Sequence, residues 1–161
     1  MMRFLGLVLG FTLAVSAGPV IANNAIERQV LDLINQYRAR GGCEPLVMQS
    51  QLNAAAQNHA NAMAVKNFFG HASKNGTKFS SRIKAQGYTG RKYAENIAAG
   101  YASAEKVVSI WMNSSGHRVN IMNCAFTETG IAVAYQEDDA PLPGSDYAMR
   151  YYWVQDFAKP R

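Results

Sequence analysis

The hydrophobic period changes along this chain, and no other feature limits its folds so much. Through residue 112 the apolar residues recur mainly at helical spacing. Asn24 followed by Glu27 has the form of a capping box, and Ile26, Val30, Leu33, Ile34 and Tyr37 then fall on one helical face until Gly41-Gly42. A second helix is expected from Ser50, with Leu52, Ala56, His59 and Met63 on its inner stripe. A short third helix is expected over residues 80–86, stopped by Gly87, and Ser103 caps a fourth that carries Val107, Val108, Trp111 and Met112. Residues 130–136 and 147–157 are instead rich in β-branched and aromatic residues and read as strands. The segment between them is acidic and holds Pro141 and Pro143, so the two strands are expected to pair as a long hairpin. Residues 93–99 read as a third strand. Helices first and a hairpin last point to an α+β layered domain.

The N-terminus carries different information. Arg3 precedes an uncharged run from Phe4 to Val15, and small residues follow as far as Ala22. This is the layout of a secretory signal peptide over residues 1–22, with cleavage after Ala22 and a weaker option after Ala17. A membrane anchor is the rival reading, but Pro19 would break a spanning helix near its end. Removal leaves residues 23–161, enough for one domain with a single core. Arg3 is the leader's only charge, so the exported chain keeps a mildly basic balance, one less than the +5 of the whole. Periplasmic or extracellular residence follows. There, an even pair of cysteines, Cys43 and Cys124, is expected to form a disulfide closing a loop that the chain-entropy model values at ~4.5 kcal/mol. The alternative, a catalytic thiol, has no nucleophile motif behind it.

Residues 74–92 hold Lys74, Lys78, Arg82, Lys84, Arg91 and Lys92 and no acid. Such a run is either a solvated basic face or a contact with an anionic envelope polymer or lipid headgroup. No nucleic-acid module is visible, and no nucleic-acid partner is expected. Of the three histidines, His59 reads as a core residue. His71 and His117 each stand beside a glycine, and Glu95 is an acid within an apolar run. A buried carboxylate needs a partner, and an imidazole is a natural one. Two imidazoles and a carboxylate are a donor set for zinc or another divalent cation, and could equally do general acid–base work, with Glu95 as the candidate catalytic acid or base. Their spacing alone does not prove that they meet.

Several stretches together carry a family resemblance. They include Asn35-Gln36-Tyr37-Arg38, His71 with Asn75-Gly76 and Arg82, Ala94-Glu95-Asn96-Ile97, and Trp111 through Ser114-Ser115-Gly116-His117-Arg118-Val119-Asn120-Ile121-Met122. Tyr152-Trp153-Val154-Gln155-Asp156-Phe157 completes them. The chain resembles the bacterial branch of the CAP superfamily (SCP domains: cysteine-rich secretory proteins, antigen 5 and pathogenesis-related proteins) from about residue 26 to residue 157. The resemblance implies a three-layer α-β-α sandwich with a central antiparallel sheet. It also implies a cleft lined by His71, His117 and Glu95, with Asn96 and Ser114 as neighbours, and zinc or lipid binding as seen among eukaryotic members.

The chain departs from the family pattern where many members carry a second glutamate, three residues after the tryptophan. Ser114 stands there, which weakens the donor set for zinc. Ser115 replaces a proline in the turn before His117, and Ala94 replaces a glycine. Ser114 and Ser115 read as a helix end and turn rather than a hydrolase nucleophile, since no strained elbow surrounds them. Three functions remain open. The first is a monomeric, non-enzymatic binding module at the envelope. The second is a metal-assisted hydrolase of peptides or cell-wall material. The third is a lipid carrier.

Overall fold

The structure, a computed structural model, describes residues 21–161, with side chains from Ala25 onward. The apolar run read above as a signal peptide therefore lies outside the described residues. Five helices and four strands follow: α1 (Ile21–Arg40), β1 (Val47–Met48), α2 (Ser50–Val65), α3 (Phe79–Ala85), β2 (Gly90–Ala99), α4 (Ala104–Asn113), α5 (Ser115–Ile121), β3 (Glu128–Tyr135) and β4 (Tyr151–Pro160). The strands form one sheet in the order β1-β3-β4-β2. β4 pairs antiparallel with both β2 and β3, as the hairpin reading required. The two-residue β1 adds a parallel pairing to β3, so the sheet is mixed at that edge.

Strand alternation builds the layers. Ile131, Val133, Trp153, Phe157 and Ala98 face one way, into a core shared with α1, α4 and α5. Ala132, Ala134, Tyr152, Val154 and Ile97 face the other way, against α2. This is the α-β-α sandwich. On β3 the face toward α2 carries the small residues Gly130, Ala132 and Ala134, because the helix lies close. A Cβ on Gly130 would come within 2.1 Å of the Leu52 backbone. The outer edge of β3 beyond β1 has no strand partner, and helix side chains cover it. Asn53 Oδ1 accepts from Ile131 N–H at 3.0 Å, and Gln57 Nε2 donates to Val133 C=O at 3.3 Å. Such coverage protects an edge from pairing with another chain.

Most expected boundaries hold within a few residues. Ser103 caps α4, its side chain accepting from Lys106 N–H. Gly42 and Gly87 follow α1 and α3 in the left-handed region, at φ +74° and +81°. The capping box needs correcting. α1 already runs from Ile21, so Asn24 lies inside the helix, and Glu27 is buried against β3 instead of turning back. The 114–115 turn also needs refining. Ser114 ends α4, but Ser115 at once begins α5, a seven-residue helix whose opening Ser115-Gly116 reads as turn. Cys43 and Cys124 are joined in a disulfide, which removes the catalytic-thiol alternative.

Candidate functional site

Glu95 lies near the middle of β2, directly opposite Asp156 on β4. By alternation both carboxyls point to the α2 side of the sheet. The chain leaving α2 brings His71 over Glu95, and α3 brings Arg82. His71 Nδ1 meets Glu95 Oε1 at 2.8 Å, and Arg82 Nη2 donates to Glu95 Oε2 at 2.5 Å. The Glu95 side chain is wholly buried, whereas half of His71 is exposed. Arg82 Nη1 also donates to the carbonyls of His71 and Thr77 and to Ser73 Oγ. One guanidinium therefore ties the 71–77 turn to the sheet. Arg82 does not belong to the basic surface: its side chain is 10% exposed and its charge is spent on Glu95.

The proton positions follow from the partners. A carboxylate only accepts, so Nδ1 of His71 carries the hydrogen and its Nε2 is left for the solvent side. His59 Nε2 lies 2.8 Å from the Gly70 carbonyl and must donate to it. Burial holds His59 below its usual pKa, with Arg82 adding to the shift, so it is a neutral core histidine that supports the loop carrying His71. His117 is likewise lowered, by burial and then by His71, and its Nδ1 is buried without a partner. Asp156 is pushed well above the carboxylate range by burial and by neighbouring Glu95, with Arg82 opposing. Burial thus favours the neutral form of Asp156 beside Glu95, whose two oxygens are taken by His71 and Arg82.

His117 sits on α5, which is fastened from below. Asn96 Nδ2 donates to the His117 carbonyl at 3.2 Å, and Asn120 Nδ2 donates to Asn96 Oδ1 at 2.9 Å. Asn96, on the face opposite Glu95, works under the cleft rather than in it. His71 and His117 both line a cleft of about 400 Å³, with Phe69, Ile97, Tyr101 and Ile110 among its other walls. Ser114 is not among the lining residues. Sequence reasoning singled out His71, Glu95 and His117, and the structure brings them together. It missed Asp156 and the role of Arg82. Asp156 was legible only as an acid within a β run, the same signal that marked Glu95.

These residues fit a divalent cation in part. Glu95 spends one oxygen on His71 and the other on Arg82, so a cation reaching it would meet a guanidinium. Among the described residues, no group of three His, Cys, Asp or Glu side chains is arranged to hold a metal ion. Glu95 instead has the place of a carboxylate that orients an imidazole. His71 Nε2 and the His117 ring are left as the nitrogen donors.

The sequence model of the cysteine-rich secretory protein family, CAP, matches residues 31–157. The chain belongs to the CAP family. Among curated relatives of this CAP domain, the uncharacterized protein YkwD of Bacillus subtilis is 37% identical over 108 residues, covering 67% of this chain and 42% of its own length. A crystal structure of an extracellular SCP-domain protein from Bacillus anthracis superposes with a TM-score of 0.72 at 25% identity. It covers 89% of this chain and 45% of that one. An outer surface protein of Borrelia burgdorferi shares the fold, with a TM-score of 0.70 at 20% identity over 83% of this chain and 92% of its own. The CAP domain thus spans less than half the length of YkwD and of the anthracis protein. Among the described residues no helix is long and apolar enough to cross a membrane.

Proposed function

We propose that this CAP domain is an exported, non-enzymatic binding module of the cell envelope, whose cleft takes a small ligand or a divalent ion through His71 and His117. One observation carries the reading: both oxygens of Glu95 are occupied, while two imidazoles line a largely apolar cleft. In a metal-assisted hydrolase Glu95 would have to serve as metal ligand or as general base, and His71 and Arg82 take both of its oxygens. Export is supported by the leader-like sequence of residues 1–22, by the disulfide, and by the similarity to an extracellular SCP-domain protein.

The metal-assisted hydrolase remains the second reading. It is favoured by the Glu95–His71 pair, since a carboxylate on Nδ1 prepares Nε2 for a metal. Zinc titration by calorimetry of chelator-treated residues 23–161, beside His71→Ala/His117→Ala, tests both. We expect one weak site, tens of micromolar or weaker, that is lost in the folded double variant, with no peptide or cell-wall turnover. Turnover abolished by chelator and restored by zinc would replace the module with the hydrolase. Zinc uptake indifferent to both histidines would remove the cation from the cleft.

A further inference from the structure

A second and larger cavity, about 490 Å³, lies away from the His71–His117 cleft, between the C-terminal end of α2 and the turn that follows it. Lys66, Phe68, Ser73, Lys74, Asn75 and Thr77 line it, and no acid does. Among the described residues both ion pairs are made by Glu95, so neither lysine has a carboxylate partner. Lys74 Nζ is held over the Phe68 ring, 5.9 Å from its centroid.

The turn's hydrogen bonds use acceptors and leave donors. Asn75 Oδ1 accepts from Thr77 N–H at 3.1 Å, which leaves the Asn75 amide hydrogens unspent. Ser73 Oγ accepts from Arg82 at 3.3 Å, so its own hydrogen is free to donate. The Thr77 carbonyl takes both Ser73 N–H and Arg82. The Ser73 carbonyl takes Gly76 N–H at 2.8 Å. The groove therefore offers two ammonium groups, a hydroxyl hydrogen and an amide, and Arg82 fastens Ser73 and Thr77 in its wall. Clustered donors without a competing carboxylate suit a ligand rich in acceptor oxygens. The volume exceeds what a single small anion fills and falls in the range of small-molecule sites.

We propose that this groove binds an acidic saccharide, a stretch of anionic envelope glycan, at a site separate from the histidine cleft. The choice of a glycan rests on the envelope reading above; the anion preference rests on the groove alone. The probe is a fluorescent hexagalacturonate, titrated by anisotropy at low and moderate salt against the exported chain. A neutral hexasaccharide of glucose and inorganic phosphate serve as competitors. Binding should weaken at least tenfold in Lys66→Ala/Lys74→Ala and several-fold in Asn75→Ala. It should persist in Lys84→Ala/Lys92→Ala, which removes equal charge elsewhere, and in His71→Ala/His117→Ala. Neither competitor should displace the probe at matched concentration. Equal losses in the two lysine pairs would overturn the groove in favour of diffuse charge, and displacement by phosphate alone would overturn the saccharide. Loss confined to the histidine variant would place the glycan in the cleft and leave the envelope reading standing. No binding by any variant would overturn the proposal without touching the zinc result.

Discussion

Glu27 is the residue at which burial and ionisation conflict most openly. It is 3% exposed, with Val133 N–H and the Asn53 amide against its carboxyl and Oε1 unpartnered. Burial, only partly opposed by those two hydrogen bonds, raises its pKa to about 7. The unfolded chain releases this proton near the ordinary carboxylate value of ~4.3. Between these values the native state binds the extra proton, so the stability contributed by Glu27 is present at pH 4 and lost as pH rises through 7. The loss is about 4 kcal/mol at most. Glu27→Gln should therefore match the wild type near pH 4.5 and exceed it in Tm at pH 8, measured by circular dichroism melting across that range. His59, held below its usual pKa by burial, shifts stability the opposite way, toward loss on acidification. The difference between wild type and variant, not the wild-type curve, isolates Glu27.

The contact between α2 and β3 depends on a missing side chain. Gly130 faces the helix so closely that an added Cβ would lie 2.1 to 2.4 Å from backbone atoms of Leu52 and Asn53. Backbone cannot rotate away as a side chain can, so the helix must lift. Gly130→Ala should cost about 3 kcal/mol or more, at or above the usual range for overpacking. Gly116, on α5, has nothing within 4 Å of its Cβ position. Gly116→Ala should be neutral or stabilise by up to about 1 kcal/mol through helix propensity. Urea unfolding of both variants checks the pair, and equal costs would contradict the close approach. The same scale explains what was illegible. α5 is seven residues long, and β1 only two. α5 opens on the turn-forming Ser115-Gly116 directly after α4, and two residues of β1 show no alternation, so neither announces itself; they form because their neighbours hold them: Asn96 and Asn120 beneath α5, and β3 beside β1.

Across the whole molecule, one clamp joins the first helix to the last turns before β3. Arg38, at the end of α1, is fully buried, and its guanidinium donates to the carbonyls of Glu44, Ile121, Asn123 and Phe126 at 2.7 to 3.2 Å. The Ile121 carbonyl lies at the C-terminal end of α5, where a cation is favoured. The Cys43–Cys124 disulfide closes the same junction across 81 residues. Arg38→Ala would strand four carbonyls and should cost more than about 3 kcal/mol, while Arg38→Lys should recover only part, lacking the planar fork. Loss of the disulfide should cost up to ~4.5 kcal/mol. Because both hold one junction, the combined variant should lose less than the sum, with a coupling above ~0.5 kcal/mol in a double-mutant cycle. Strict additivity would mean that the two clamps act independently.

The sequence by itself determined the layered α+β class, because a helical period followed by β-rich runs leaves few other arrangements. It also pointed to the disulfide and singled out His71, Glu95 and His117 as candidates. What each residue does was decided only by tertiary structure. Arg82 sat in a basic run and looked like surface, yet a carboxylate thirteen residues away in sequence draws it inside. Glu95 looked like a metal ligand, and Arg82 makes it an orienting group. Asp156 drew no notice until strand register set it opposite Glu95. The physical reason is the same in each case. Periodicity is local and survives in the linear chain, whereas the charge state and partner of a buried polar group depend on what distant segments bring within a few ångströms.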